Sequence, residues 1–353
     1  MTPFAPPPPT YHEPQGLDVL SSIDAVRRAD DVAVVTDAGV SEAGLVDPLF
    51  DHLDVAAVYE DVESNPAIGT VRGVADATSG ADVVVGVGGG SVMDATKAGC
   101  ALPAFGSFDA LRSAGPDSSV PRPDDATPCV LVPTTAGTGT ETGHWAVISD
   151  HDRGLKASVG HPALGADAVV LDSTLTASLP PYLTAVTGFD VLTHAVEAFA
   201  STNASALTDP YARRAFETAA ATLPAAASDR ATPADRERML SASYLAGVAM
   251  NNAGLGAVHA ISHAIGGIYD TPHGHTNARL LPAVVRANAD ASERARLRYG
   301  RLVGATDDPG AELAARLETS MAGVGLDDPL PGAPEAWDWD RIATLALDNV
   351  NMR

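Results

Sequence analysis

Lysine is almost missing from this sequence. Lys97 and Lys156 are the only two, so arginine supplies the rest of a basic total of 22. Asp and Glu number 45, which leaves a formal net charge of −23. A surface this acidic repels phosphate backbones and anionic lipid headgroups, which argues against nucleic acid and membranes as partners. Many carboxylates with little lysine fit adaptation to high salt, where counterions screen self-repulsion. Drift in a GC-rich genome also enriches Ala, Gly, Arg and Asp, but it gives no reason for so self-repelling a charge. Cysteine is equally scarce. Cys100 and Cys129 stand alone without CxxC spacing, which excludes a disulfide framework. No apolar run is long enough to span a bilayer. The opening MTPFAPPPPTYHEP has neither the basic nor the apolar region of a signal peptide. A soluble, cytoplasmic protein is expected.

Hydrophobic residues make up 45% of 353 positions, enough for two domains with buried interiors. Residues 1–16 are proline-rich and read as an extended arm. From 17 to 179, strand and helix signals alternate. Val32–Thr36, Val55–Tyr59, Asp82–Val87, Val130–Val132 and Ala168–Leu171 read as strands, and Ile68–Ser79 reads as a helix. Valine-rich runs separated by helices predict a parallel sheet covered on both faces. The texture changes at Leu179-Pro180-Pro181. From 180 to 353 no strand is evident, only alanine-rich amphipathic stretches such as Ala212–Leu223, Pro233–Val248 and Ser292–Val303. Thr232 followed by Pro233 is a helix-start pair. Asp327–Trp339 reads as a loop before one last helix.

Gly86-Val87-Gly88-Gly89-Gly90-Ser91 links a strand to the helical stretch Val92–Ala101. Glycines there admit a close ligand, and free N–H groups at the helix start favour a phosphate. The turn departs from GxGxxG and lacks the downstream acid of that fingerprint, so the glycines could equally serve packing. Lys97, on the helix that Ser91 opens, is assigned to the phosphate because lysine is otherwise so rare. A second turn after a strand, Pro133 to Glu141, offers hydroxyls and backbone donors without bulk, suited to ribose, pyrophosphate or nicotinamide.

Asp190 and His194 are four apart in GFDVLTHAVEAF, a helical pattern that puts both on one face. His259 and His263 repeat that spacing, and Pro272-His273-Gly274-His275 is a turn with more histidine. Five of the ten histidines fall in these segments. One Asp/His pair, one His/His pair and a turn histidine can supply four N/O ligands to one cation. Without cysteine, that set suits Fe²⁺, Zn²⁺ or Mn²⁺ better than Ca²⁺ or Mg²⁺. A single buried histidine would more often be hydrogen-bonded core, and it is the coincidence of three such segments that points to a metal. His144, Trp145 and Tyr269 lack such company and read as packing or pocket lining.

The runs VVTDAG, SNP, GGGSVMDATKA, PTTAGTGTE, LKASVGHPALGADAVVLD, TGFDVLTHAVEAF and GAVHAISHAIGGIYDTPHG resemble the iron-containing (group III) alcohol dehydrogenases, the family of lactaldehyde reductase and 1,3-propanediol dehydrogenase. The resemblance extends from about residue 30 to 290. It implies an α/β N-terminal dinucleotide-binding domain with a parallel sheet, followed by an all-α metal-binding catalytic domain, the dehydroquinate synthase-like architecture. It makes Asp190, His194, His259 and His273 the metal ligands and His263 the histidine tied to catalysis. It makes Gly89, Gly90 and Ser91 the pyrophosphate loop. Asp37, Asn65, Thr134, Thr135, Thr138 and Lys156 become further dinucleotide contacts. The implied cofactors are Fe²⁺, with Zn²⁺ or another divalent metal possible, and NAD, with NADP possible. The implied assembly is a homo-oligomer. Thr142-Gly143-His144-Trp145 is bulkier than the family pattern, which leaves substrate size open. His275 is an unusual extra polar group, and the C-terminal end is shorter than is common in the family.

Together these readings predict an alcohol dehydrogenase or aldehyde reductase working on small primary alcohols and aldehydes. A metal with an open position acidifies a bound alcohol, and hydride passes to nicotinamide C4 in a cleft between the two domains. Asp37, at the end of the first strand, is placed to prefer NAD over NADP by repelling a 2′-phosphate, unless it only starts a turn. The alternative is a polyol or phosphorylated-substrate enzyme of the same fold, such as a glycerol or glycerol-1-phosphate dehydrogenase. A phosphorylated substrate needs extra cations near the metal, where Arg279 is the nearest basic residue. A non-catalytic metal-binding scaffold is the third reading.

Overall fold

The computed structural model describes residues 4–14, 16–116, 121–304, 306–330 and 336–349. Its strands are β1 (Thr10–His12), β2 (Val32–Val35), β3 (Val55–Tyr59), β4 (Val83–Gly88), β5 (Cys129–Pro133), β6 (Trp145–Asp150), β7 (Leu155–Gly160) and β8 (Ala168–Leu171). Six of them form a sheet in the order β1-β8-β5-β4-β2-β3, and every pairing in it is parallel. In β2, Val32 and Val34 join one core with Leu20, Val85 and Val130. Ala33 and Val35 join another with Val74, Val92 and Cys129. A strand buried on both faces must be apolar at every position, which is why these strands read as unbroken valine runs.

Two features escaped the sequence reading. The proline-rich start is extended but not free, because β1 pairs with β8 and Val169 N donates to the Pro9 carbonyl. Proline is tolerated there because an edge strand needs few of its own donors. β6 and β7 form an antiparallel hairpin apart from the sheet, turned by 151–154 with Gly154 at φ +61°.

The chain divides into two compact units. One is Ala5–Thr135 with Gly139–Ser178, and the other is Leu179–Arg353 with Met1–Phe4 and Ala136–Thr138. The first unit holds the strands with helices α1 (Ile68–Ala77) and α2 (Gly90–Phe105). The second has no strand among its described residues and holds α3 (Pro181–Ala200), α4 (Asp209–Ala226), α5 (Pro233–Ala253), α6 (Ala257–Tyr269), α7 (His273–Ala291), α8 (Glu293–Val303), α9 (Pro309–Gly323) and α10 (Trp339–Leu347). α3 is buried almost all round and packs against α4, α5 and α7. Thr232 caps α5 in a reciprocal capping box with Asp235. Part of the 327–339 loop, residues 331–335, lies outside the described residues. Tyr269 stacks on Trp337 at 5.0 Å, a packing role. No helix among the described residues is long and apolar enough to cross a membrane.

Candidate metal centre and dinucleotide loops

The helical unit collects the histidine motifs. On α3, Asp190, His194 and Glu197 follow one another at helical spacing and share a face. On α6 that face is His259, Ser262 and His263, and on α7 it is His273 and Asn277. Gly274 lets α7 start close to α3, since a side-chain carbon there would lie 2.2 Å from the Val186 carbonyl oxygen. That close approach places His273 at the cluster.

Asp190 Oδ1 is the centre. His259 Nε2 lies 3.4 Å from it, His194 Nε2 3.5 Å and His273 Nε2 3.8 Å. One ligand atom each from Asp190, His259 and His273 falls within 4.8 Å of the others, a spacing that can hold one ion. His194 stacks on His259, ring centroids 4.7 Å apart. His263 is buried, its ring 5.2 Å from that of His273 and 5.9 Å from that of His259.

The electrostatics favour a cation. Burial pushes the Asp190 carboxyl up, but the neighbouring imidazoles outweigh it and hold the group well below the usual carboxylate range. Burial pushes His194 down to about 4 against the pull of Asp190, so its imidazole is neutral at pH 7. Burial also opposes a charge on His259, yet Asp190 and Glu197 raise it to about 9. An anionic carboxylate with neutral imidazole nitrogens is a donor set for Fe²⁺ or Zn²⁺, with the His259 proton displaced as metal enters.

Glu197 and Asn277 were missed by the sequence reading. Glu197 Oε2 lies 2.6 Å from His259 Nδ1, and its Oε1 accepts from Val258 N at 2.6 Å. A carboxylate on the far ring nitrogen fixes the tautomer that turns Nε2 toward a metal. The Asn277 side-chain amide lies 2.8 Å from Asp190 Oδ1 and 3.1 Å from His273 Nε2. Both residues stood at helical spacing from a proposed ligand, at His194 plus three and His273 plus four. His275 is buried outside the cluster, with Nε2 3.2 Å from the Asp328 carbonyl and Nδ1 3.4 Å from the Tyr182 hydroxyl. It ties α7 to the loop between α9 and α10.

In the α/β unit the glycine turn serves two ends. Side-chain carbons at Gly86 and Gly88 would lie 2.6 Å from Thr96 Oγ1 and 2.5 Å from Val92 Cγ2, so those two glycines let α2 pack on β4. Gly89 is the N-cap of α2 without a side-chain cap bond, and a carbon there would meet only Thr135, at 3.4 Å. The first N–H groups of a 16-residue helix remain available to an anion at Gly90 and Ser91. Ser91 Oγ accepts from Asn65 N at 3.2 Å, and Lys156 Nζ donates to Asn65 Oδ1 at 2.8 Å. Asn65 sits at φ +59°. Thr134 is buried; Thr138, which falls in the helical unit, has a buried hydroxyl with no hydrogen-bond partner among the described residues. Asp37 caps the short helix Ala38–Glu42, its Oδ1 accepting from Val40 N at 2.9 Å.

Lys97 corrects the phosphate assignment. It is fully buried, and its Nζ donates to the Thr140 carbonyl at 2.8 Å, to Thr140 Oγ1 at 2.6 Å and to the Trp145 carbonyl. Asp94 completes the clasp, 3.3 Å from Nζ and accepting from Val147 N at 2.8 Å. Lys97 therefore pins the 140–147 segment to α2 and has no donor left for a ligand.

Comparison with known proteins decides the family. Residues 8–173 match the sequence profile of iron-containing alcohol dehydrogenases, and residues 184–350 match that of the Fe-containing alcohol dehydrogenase family, C-terminal. The chain belongs to the iron-containing alcohol dehydrogenases. 1-Propanol dehydrogenase PduQ of Citrobacter freundii is 40% identical over 291 residues, spanning 80% of this chain and 74% of that protein. The crystal structure of a 1,3-propanediol oxidoreductase gives a TM-score of 0.90 at 32% identity, covering 100% of this chain and 94% of that one. Sulfoacetaldehyde reductase from Bifidobacterium kashiwanohense, solved with NAD+, gives 0.84 at 26% identity, covering 100% and 93%. This iron-containing alcohol dehydrogenase homologue is thus an oxidoreductase of the alcohol dehydrogenase class, built as a parallel-sheet unit followed by a helical one.

Proposed function

We propose that the chain is a metal-dependent, nicotinamide-linked dehydrogenase of small primary alcohols and aldehydes, with a divalent cation held by Asp190, His194, His259 and His273. The observation that carries this is the convergence of the Asp190, His259 and His273 ligand atoms within 4.8 Å, with His194 beside them. Held there, Fe²⁺ or Zn²⁺ supplies Lewis acidity toward an alcohol or carbonyl oxygen. The residues of the chain do the rest. Glu197 orients His259, the buried helices exclude water, and His263 takes or gives the proton of the reacting hydroxyl.

For the cofactor we read NAD, which supplies the hydride-accepting nicotinamide. Support comes from the uncapped start of α2 at Gly89, Gly90 and Ser91, and from the Asn65–Lys156 pair beside it. Thr134, Thr135 and Thr138 add small hydroxyls, and the sulfoacetaldehyde reductase relative was solved with NAD+. The Asp37 carboxylate, even while capping its helix, disfavours a 2′-phosphate at close range. A phosphorylated substrate is disfavoured because Arg279, the nearest basic residue to the metal motifs, spends Nη1 on the Asp327 carbonyl at 2.8 Å. We also read the −23 charge as adaptation to high salt.

The test is NADH oxidation at 340 nm with a panel of short aldehydes, set beside dihydroxyacetone and its phosphate. Turnover of the aldehydes supports the proposal. Turnover restricted to the phosphorylated substrate, or none at all in metal-loaded protein, rejects it.

A further inference from the structure

Asn277 is fully buried on α7, and its amide faces the atoms proposed above as metal ligands. Asp190 Oδ1 lies 2.8 Å from Nδ2 and His273 Nε2 lies 3.1 Å from it. A carboxylate only accepts, so the NH₂ end of the amide must be the end facing Asp190. Its two N–H groups then have two acceptors, the Asp190 oxygen and the His273 nitrogen. His273 is suited to accept, because its other nitrogen, Nδ1, lies 3.4 Å from Ser262 Oγ. His259 Nε2, 3.3 Å from the same amide nitrogen, already faces Asp190 Oδ1. At the other end of the amide, the Asn277 Oδ1 atom is buried without a partner among the described residues.

We infer that Asn277 is a positioning residue that holds this donor set together before metal arrives and competes with the metal for it. The reason is a count of lone pairs. An imidazole nitrogen has one lone pair, in the ring plane, and it cannot serve an amide N–H and a cation together. Asp190 has lone pairs to spare, but His273 Nε2 does not. Loading the centre must therefore break the Asn277–His273 hydrogen bond and leave a buried N–H to find another partner. Such an exchange lowers affinity by the worth of the bond given up, while the same bond stabilises the metal-free protein. A supporting residue that kept its bonds in the loaded centre would act with the opposite sign.

This inference rests on the proposed metal centre, and the experiment separates the two. Full-length protein is stripped by a chelator and titrated with Zn²⁺ against a chromophoric competitor, in the native form and as Asn277→Leu, which keeps the bulk and removes both donors. The metal-free variant should melt below the native protein yet bind Zn²⁺ more tightly, by about fivefold to tenfold, the range of one hydrogen bond. Its melting temperature should also rise more on Zn²⁺ addition than that of the native protein. Asn277→Ala gives the same reading if the leucine variant does not fold. Unchanged or weaker Zn²⁺ binding in a cooperatively folded variant overturns the inference. A native protein that takes up no cation overturns the metal-centre reading itself.

Discussion

Replacing Glu197 with glutamine keeps the shape of the side chain and removes its charge from His259. The native carboxylate meets His259 Nδ1 at 2.6 Å with both side chains buried. Burial alone would lower the His259 pKa, but Asp190 and Glu197 raise it from 6.5 to about 9. That gap is worth about 3 kcal/mol of stability in metal-free protein, shared between Asp190 and Glu197. Because the folded pKa is raised, this stabilisation is complete below pH 6.5 and is lost as pH rises through about 9. Metal-free Glu197→Gln should therefore lose about 1–2 kcal/mol at pH 6, and its stability should vary less between pH 6.5 and 9. In the loaded protein the single glutamine oxygen can accept from Val258 N or from His259 Nδ1 but not both, so the ligating tautomer is held less firmly and Zn²⁺ or Fe²⁺ affinity should fall, by roughly 10- to 100-fold at most. Denaturant melts of stripped protein at several pH values, with a chelator competition in parallel, measure both effects. Native metal affinity together with an unchanged pH slope would refute the role given to Glu197.

Glu141 should show the opposite variant effect in the α/β unit. Burial pushes this carboxyl from 4.5 up to about 7, so the stability tied to its neutral form is complete below pH 4.5 and is lost as pH rises through about 7. Glu141→Gln should then melt above the native protein at pH 8, by about 1–3 kcal/mol, and match it at pH 4; equal melting at pH 8 would show that the charged form is well solvated. Asp37→Gly should raise NADP use relative to NAD in kcat/KM, and an unchanged ratio would reduce Asp37 to the helix cap it forms in the structure. Melting temperature should climb as KCl rises into the molar range, because screening relieves repulsion among an excess of carboxylates. A melting temperature that falls with salt would favour base-composition drift instead.

The valine strands were legible because a doubly covered sheet demands apolar side chains on both faces, and β2, β4 and β8 carry little else. The β6–β7 hairpin was not, since Trp145–Asp150 ends in Ser149 and Asp150, two buried polar residues with partners far along the chain at Asn65 and Arg112. Composition misled at Lys97. Rarity suggested a ligand contact, whereas full burial among carbonyls makes it a clasp. At the candidate metal centre, the search for ligands stopped at Asp/His pairs, so Glu197 and Asn277 went unnoticed although helical spacing put them on the same faces. Sequence shows which residue types share a face; whether Asn277 meets Asp190 depends on how close α7 lies to α3, and Gly274 reveals that only once the Val186 carbonyl is seen beside it.

Metal content measured alongside turnover tests the central claim most directly. Protein is stripped with a chelator, assayed by plasma mass spectrometry and by aldehyde-dependent NADH oxidation, then reloaded with Fe²⁺ or Zn²⁺. The account predicts that metal and turnover disappear together and return together, and that His259→Ala neither retains metal nor recovers. Full turnover in protein verified to be metal-free would contradict it.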